Sequence, residues 1–338
     1  MKRAFITLAL AATVGIGASA ASAQTLNTIK QRGILNCGGN PGLAGFGLPD
    51  AQGNWTGLDI DFCRALGAAI FNDEKKVKFV PLTAKDRFTA LQSGEVDVLA
   101  RNTTWTSSRD TSLGLNFGPI NYYDGQGFLV RKSLKVNSAL ELNDAAICVQ
   151  QGTTTELNLA DYFRANKMKL KTVAFADSNE TIKAYDAGRC DGFTTDASGL
   201  YAERLRLADP NDHIVLPEVI SKEPLGPAVR HGDDQWADIV KWTHYAMVNA
   251  EEYGVTKANV DDMMKSDNPD IKRLLGTEGK HGEALGLTND WAYRVIKRVG
   301  NYGEVFEKNV GQASPLKISR GLNGLWSKGG LQYAPPIR

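Results

Sequence analysis

One pattern in the chain occurs twice. Leu91-Gln92-Ser93-Gly94-Glu95-Val96-Asp97 and Tyr185-Asp186-Ala187-Gly188-Arg189-Cys190-Asp191 each read as a helix end, a glycine stop and an aspartate entering a strand. Glycine suits such a stop because it takes the left-handed conformation without steric cost. Copies at equivalent places predict two halves of similar folding, each alternating strand and helix, and therefore an α/β chain. In the first half, strands are expected over 33–37, 77–80 and 96–100, with a helix over 85–92 and another entered through Gly57-Leu58-Asp59-Ile60-Asp61-Phe62. Phe62, Leu66 and Ile70 fall at helical spacing on the core face of the latter. In the second half the strands are 147–150, 173–175 and 193–195, alternating with helices over 157–164, 178–187 and 197–206. A capping box, Ser138-Ala139-Leu140-Glu141, precedes them.

Two extended segments, 122–130 and 223–230, frame the second half. They predict a clamshell with residues 24–128 and 227–338 in one lobe and 129–226 as the inserted lobe. The last part of the chain, through a helix over 235–250, is expected to return to the first lobe as a helical extension.

Residues 1–23 have the three parts of a secretory signal peptide: Lys2 and Arg3, an apolar run from Ala4 to Ile16, and the small-residue site Ala21-Ser22-Ala23. The run is too short and too rich in alanine and glycine for an anchor. No cysteine follows the site to carry lipid, so the mature chain is expected free in a periplasm. Of the 338 residues, Lys+Arg number 39 and Asp+Glu 38, and no basic block occurs. That removes the electrostatic case for nucleic-acid or membrane partners.

The four cysteines suit an oxidising compartment and permit three pairings. Cys37 and Cys63 fall in one half, Cys148 and Cys190 in the other. Pairing within halves would staple each by roughly 3 to 4 kcal/mol on a chain-entropy estimate, whereas a bridge between them would forbid the halves to separate. Four buried thiols are the alternative. No metal is expected, since neither CxxC spacing nor a histidine pair accompanies them.

Three polar turns carry the candidate chemistry. In Val96 to Asn116, threonines and amides lead to Arg109, placed just inside what reads as a helix start. A cation there opposes the helix dipole unless it faces solvent or holds an anion. Backbone N–H groups, hydroxyls and a guanidinium together make a carboxylate receptor. Gln151-Gly152-Thr153-Thr154-Thr155-Glu156 again sets hydroxyls at a helix start, and capping explains one threonine of the three. Asp196 ends a strand before a helix, where it serves as an N-cap or presents its carboxylate to an ammonium. Asp59 and Asp61 read as the acidic start of a helix rather than a catalytic pair. The glycine-rich 38–47 turn lacks the GxGxxG spacing of a dinucleotide site.

The stretches GNWTGLDIDFCRALGAAIF, FTALQSGEVDVLARNTTWTSSR, QGTTTE and GRCDGFTTDAS together resemble the periplasmic amino-acid-binding proteins of ABC importers, solute-binding family 3. RDTSLGLNFGPINYYDGQGF, ELNLADYFRAN and EPLGPAVRHGDDQW are more narrowly similar to the general L-amino-acid-binding group of alpha-proteobacteria. An insertion over about 254–292 departs from shorter members. The resemblance implies a periplasmic binding protein type II fold, with mainly parallel central sheets in two lobes joined by a two-segment hinge and the ligand between them. It implies that Arg109, with Thr104, Thr153 and Thr154, takes the α-carboxylate, and that Asn102 and Asp196 take the α-ammonium. Asn40, Leu43, Arg101, Thr103 and Gln150 are implied around the ligand. Leu43 and Ala84 stand where aromatic walls are common and Arg101 where a small residue is usual, which implies a roomy pocket; Arg101 would pair with a neighbouring carboxylate or meet acidic side chains. The implied partners are an L-amino acid and an inner-membrane ABC permease, with no cofactor and a monomeric chain.

The function expected is therefore a non-catalytic receptor for import. The alternative is an enzyme on the same scaffold, of the cyclohexadienyl dehydratase kind, which needs a positioned general acid. The four histidines, His213, His231, His244 and His281, lie outside the polar turns, and neither GxSxG nor HExxH occurs. A receptor ectodomain, the third reading, would call for a membrane helix.

Overall fold

The computed structural model describes residues 25–338, so the signal-peptide reading lies outside the described residues. Two five-stranded sheets organise it. The first runs Val77–Pro81, Leu35–Gly39, Val98–Leu99, Ala228–Arg230, Leu115–Phe117. The second runs Lys171–Phe175, Ala146–Gln150, Gly192–Asp196, Gln126–Arg131, His213–Val215. In each sheet the first three strands are parallel and the last two join antiparallel. The shared order is the doubly wound one, whose ligand crevice opens at the carboxyl ends of the parallel strands.

The repeated pattern takes the same part in both sheets. Gly94 and Gly188 are left-handed, at φ 80° and 77°. The aspartate that follows each clasps the first strand of its sheet. Asp97 accepts from the Asn36 N–H at 2.8 Å and Asp191 from the Ala146 N–H at 2.8 Å. Each also returns its own N–H to the same residue's carbonyl, at 2.9 and 2.7 Å. A side-chain carboxylate thus extends the parallel ladder by one rung, which fixes where the next polar turn begins.

The 122–130 segment, read as one extended run, is two strands. Tyr122–Asp124 pairs with Glu223–Leu225 between the sheets, and Gln126–Arg131 enters the second sheet. Gly125 makes the break, because a Cβ there would overlap Val219 and sit 2.8 Å from the Ser221 carbonyl. Along Gln126–Arg131 the side chains alternate, Phe128 and Val130 to one apolar cluster and Leu129 to another. Both faces of that sheet are therefore covered.

Phe62, Leu66 and Ile70 are buried as their spacing predicts, but the helix Leu58–Phe71 is buried on nearly every side. The reason is the later chain. The helices Asp234–Glu252, Trp291–Arg298 and Tyr302–Asn309 share one apolar cluster with it, closed by Ile337 near the C-terminus. Trp236 anchors this layer by donating its indole N–H to the Asp97 carbonyl at 2.9 Å. Sequence periodicity placed the helix over 235–250; the smaller helices beyond it carry too few turns to be read that way.

Disulfides join Cys37 to Cys63 and Cys148 to Cys190, each within one sheet and its helices, with Cα separations of 6.3 and 5.6 Å. No described cysteine is free. Replacing Cys148 and Cys190 together by serine is expected to lower the unfolding free energy by about 4 kcal/mol. Urea denaturation reads this directly; a loss under about 1 kcal/mol would mean that the closed loop is already ordered in the unfolded chain.

Candidate functional site

The site begins where Val98–Leu99 ends. Asn102 adopts φ 34°, a left-handed value that asparagine tolerates better than most residues. Its N–H donates to Asp59 at 2.6 Å, and the other oxygen of Asp59 accepts from Asn121 at 3.0 Å. Asp59 is thus the buried acceptor that pins the turn, while Asp61 on the same helix holds Arg64, Lys308 and Asn309. The two aspartates do different work and are not a pair. The side-chain oxygen of Asn102 accepts from Asn40 at 3.0 Å.

Arg109 does not open a helix. Ser108–Ser112 is a single π turn, so there is little dipole to oppose, and the placement that looked unfavourable costs little. Its guanidinium is held by the Thr104 carbonyl at 2.8 Å and lies over the Phe88 ring at 5.1 Å. Two more arginines, Arg87 and Arg101, are buried beside it, each 2% exposed. Arg101 is tethered through Nε to the Leu82 carbonyl at 2.9 Å. Burial pulls its pKa down to about 10, against the opposing charges of Asp59 and Asp196. Arg87 reaches the Arg101 carbonyl and Thr103 hydroxyl only at 3.4 Å, and its Nε has no partner. Burial and then the charges of Arg109 and Arg101 push its pKa well below the usual arginine value. Burial also lowers that of Arg109, while Glu223 and Asp196 raise it.

From the second sheet, Gly192–Asp196 delivers Asp196, 6% exposed. The capping reading fails here, because its side chain makes no cap bond. Asp124, from the crossing strand, does that work instead, accepting from the Ser198 hydroxyl and N–H. Burial raises the pKa of Asp196 well above normal, the charges of Asp124 and Glu223 add to it, and Asn102 and Arg87 oppose. Asp124 is raised to about 6, first by burial.

The three threonines of the second turn have three jobs. Thr153 caps the helix Thr154–Ala165, accepting from the Glu156 N–H at 3.1 Å and donating to the Gln150 carbonyl. Thr155 is buried, and its carbonyl accepts from Gln126. Thr154 donates to Glu223 at 2.8 Å. Glu223, on the crossing strand Glu223–Leu225, also accepts from Thr104 at 2.6 Å, Asn158 at 2.8 Å and Ser221 at 2.7 Å. It therefore ties together both sheets' turns and the crossing. The protons of Thr104 and Thr154 point to this carboxylate, so donating to a ligand carboxylate would require them to turn.

Arg87, Arg101, Asn102, Thr104, Gln150, Thr153, Thr154 and Asp196 line one cavity of about 20 Å3. Asn40, Leu43, Asn102 and Gln150 line a second of similar size. Thr103 is fully buried behind them, bonded to the Arg101 carbonyl. Outward of Arg109 lies a wider cavity of about 310 Å3, bounded by Phe88, Ser108, Gly152, Thr153 and Leu157. The halves touch across the site: Thr104 lies 3.3 Å from Thr154, and Arg206 donates to the Gly42 carbonyl at 3.2 Å. Arg87 and Glu223 are site residues that sequence reasoning missed. Each looked like an ordinary member of a helix or strand, and only the fold puts them at the seam. Among the described residues no cluster could hold a metal ion, and no helix is long and apolar enough to cross a membrane.

Comparison with known proteins follows the same lines. The sequence pattern of the bacterial extracellular solute-binding proteins, family 3, matches residues 35–259. The chain is 65% identical, over the whole of both chains, to the general L-amino acid-binding periplasmic protein AapJ of Rhizobium johnstonii. It is 58% identical, over 99% of this chain and 98% of the other, to the glutamate/glutamine/aspartate/asparagine-binding protein BztA of Rhodobacter capsulatus. Among solved structures, an ABC transporter / periplasmic binding protein from Brucella ovis with glutathione bound superposes with a TM-score of 0.92 at 63% identity, covering 94% of this chain and 100% of that one.

Replacing Glu223 by alanine strands four donors in a buried place. The expected loss is about 3 kcal/mol of unfolding free energy, read by chemical denaturation, with Glu223→Gln losing markedly less because it keeps the shape and one acceptor. Equal, small losses in both would show that the four bonds contribute little.

Proposed function

The chain belongs to the bacterial extracellular solute-binding proteins of family 3, and we propose that it is a periplasmic receptor that closes on an L-amino acid and presents it to an inner-membrane ABC permease. The observation that carries this is the opposition of charges across one cavity. Arg87 and Arg101 of the first half face Asp196 of the second across it, and Arg109, in the turn after a strand of the first sheet, borders the wider cavity that shares Thr153 with it. A zwitterion with its carboxylate toward Arg109 and its ammonium toward Asp196 and Asn102 contacts both poles only when the halves meet. A ligand shifts a conformational equilibrium only through such differential contact, and closure is then a signal that the permease can read. The lobes we take to move are 129–226 against the rest, about the paired crossing strands. The names of AapJ and BztA support amino acids as the ligand class. Glutathione, held by the Brucella protein, also carries an α-amino and α-carboxylate pair at its γ-glutamyl end. The small polar groups and the absence of aromatic walls at Leu43 and Ala84 favour a broad side-chain range, and we take the receptor to act as a monomer.

The relatives are named for binding, not for catalysis, and the dehydratase alternative is set aside. Calorimetric titration with a panel of L-amino acids and glutathione tests the receptor reading: several should bind tightly and be recovered unchanged. A single, uniform particle mass with and without ligand is expected in light scattering.

Arg109→Ala should abolish binding of every amino acid while the lobes stay folded; retained affinity removes the carboxylate assignment. Asp196→Asn should weaken amino acids at least tenfold, about 1.4 kcal/mol. Because burial raises the pKa of Asp196, the ionised group costs stability at neutral pH, so the melting temperature of Asp196→Asn should not fall. A falling melting temperature with intact affinity would return Asp196 to a structural role.

A further inference from the structure

Glu203 lies two turns beyond Asp196 on the helix Ala197–Arg204 and is 1% exposed. Its two oxygens are treated differently. Oε2 accepts from Arg206 at 2.8 Å, whereas Oε1, equally enclosed, has no hydrogen-bond partner. A buried carboxylate oxygen left unpaired is costly, and native proteins retain few without a use for them. Glu203 lines the second small cavity, facing Asn40 and Leu43 of the glycine-rich turn and Ser178 and Thr181 of the helix Ser178–Asp186. That cavity shares Asn102, Gln150 and Thr195 as walls with the one between Arg109's turn and Asp196. An amino acid with its α-carbon in the first cavity has the second as the adjoining space for its side chain.

Arg206 couples this group to closure. The same guanidinium that holds Oε2 donates to the Gly42 carbonyl of the opposite half at 3.2 Å and to Asn179 at 2.6 Å. The free oxygen is thus aimed by an arginine that also grips the other lobe.

Resting on the receptor reading above, we propose that Glu203 reads the side chain of the bound amino acid: its free Oε1 accepts a hydrogen bond from a donor there, an amide, hydroxyl or cation, and it excludes an ionised side-chain carboxylate unless a proton comes with it. Charge supports the geometry. Burial raises Glu203 to about 7, and Arg206, the one charge acting on it, opposes the shift. The facing elements contribute no titratable group to the lining: the turn offers Asn40 and Leu43, the helix Ser178 and Thr181, the strand Phe193 and Thr195. Below about 7 the carboxyl holds a proton that it can donate to a carboxylate ligand. Above it, two carboxylates would meet in a closed space.

The test is calorimetric titration of the full mature chain with L-glutamine, L-glutamate and L-alanine between about pH 6 and pH 9. Taking the ratio of glutamate to glutamine affinity cancels the titration of the α-carbon site common to both. In the wild type this ratio should fall about tenfold per pH unit once Glu203 ionises. In Glu203→Gln it should be flat, with L-alanine bound as in the wild type. A ratio that is flat in the wild type, or that keeps its slope in Glu203→Gln, overturns the proposal. Arg206→Gln keeps Glu203 and removes the cation that lowers its pKa, so the break should move to higher pH; an unmoved break also overturns it, and this variant decides the matter if Glu203→Gln fails to fold or loses alanine. Wild-type protein that binds none of the three, alanine included, overturns the receptor reading itself.

Discussion

The carboxylate of Glu223 is where the two halves and the crossing between them meet. It accepts from Thr104 of the first sheet's turn, from Thr154 and Asn158 of the second half, and from Ser221 beside it. A buried charge held by four donors resists displacement, since moving any one element leaves a donor unpaired at a cost of about 1 to 3 kcal/mol. The arginines depend on the same arrangement. Arg87, Arg101 and Arg109 repel one another, and the carboxylates of Asp59, Asp196 and Glu223 are what compensate them.

Both halves reach that cluster by the same route and arrive with opposite charge. Asp97 and Asp191 clasp their neighbouring strands in matching fashion, so the turns after Val98–Leu99 and after Gly192–Asp196 leave their sheets at equivalent points. Only the last residues differ. The first turn carries Arg101, Asn102 and, within the π turn Ser108–Ser112, Arg109; the second ends in Asp196, whose helix is capped from elsewhere by Asp124. Similar folding with opposed charge is what the proposed two-pole grip on a zwitterion rests on.

Much of this could be read from the sequence because it is local. The glycine stops, the following aspartates and the threonine-rich turns each announce themselves within a few residues, and the cysteines sort by half. The pairing itself, Cys37 with Cys63 and Cys148 with Cys190, needed the fold. So did the break at Gly125, which arises from Val219 and Ser221 packing nearly a hundred residues away in sequence. Arg87 and Glu203 were hidden for another reason. Each sits on an amphipathic helix where a charged side chain normally faces water, and nothing nearby in the sequence says that the opposite lobe will cover it. Asp196 shows the reverse: its position is that of an N-cap, yet the cap contact comes from Asp124 across the fold.

The division of labour between the two small cavities follows from what each can pay for in charge. The first is lined by Arg87 and Arg101 from one half and Asp196 from the other, and a zwitterion adds equal amounts of each sign, so every α-amino acid meets the same balance. The second holds one carboxyl group, half engaged by Arg206, among asparagine, serine and threonine side chains and Leu43. Those neutral groups neither demand nor refuse a particular side chain, so discrimination there falls to the protonation of Glu203. A hydrogen-bond donor is accepted in either state. On the proposed reading a carboxylate is accepted only with a proton, which makes the range of side chains a function of pH rather than of shape, while the proposed grip on the α-carbon groups stays with Arg109 and Asp196.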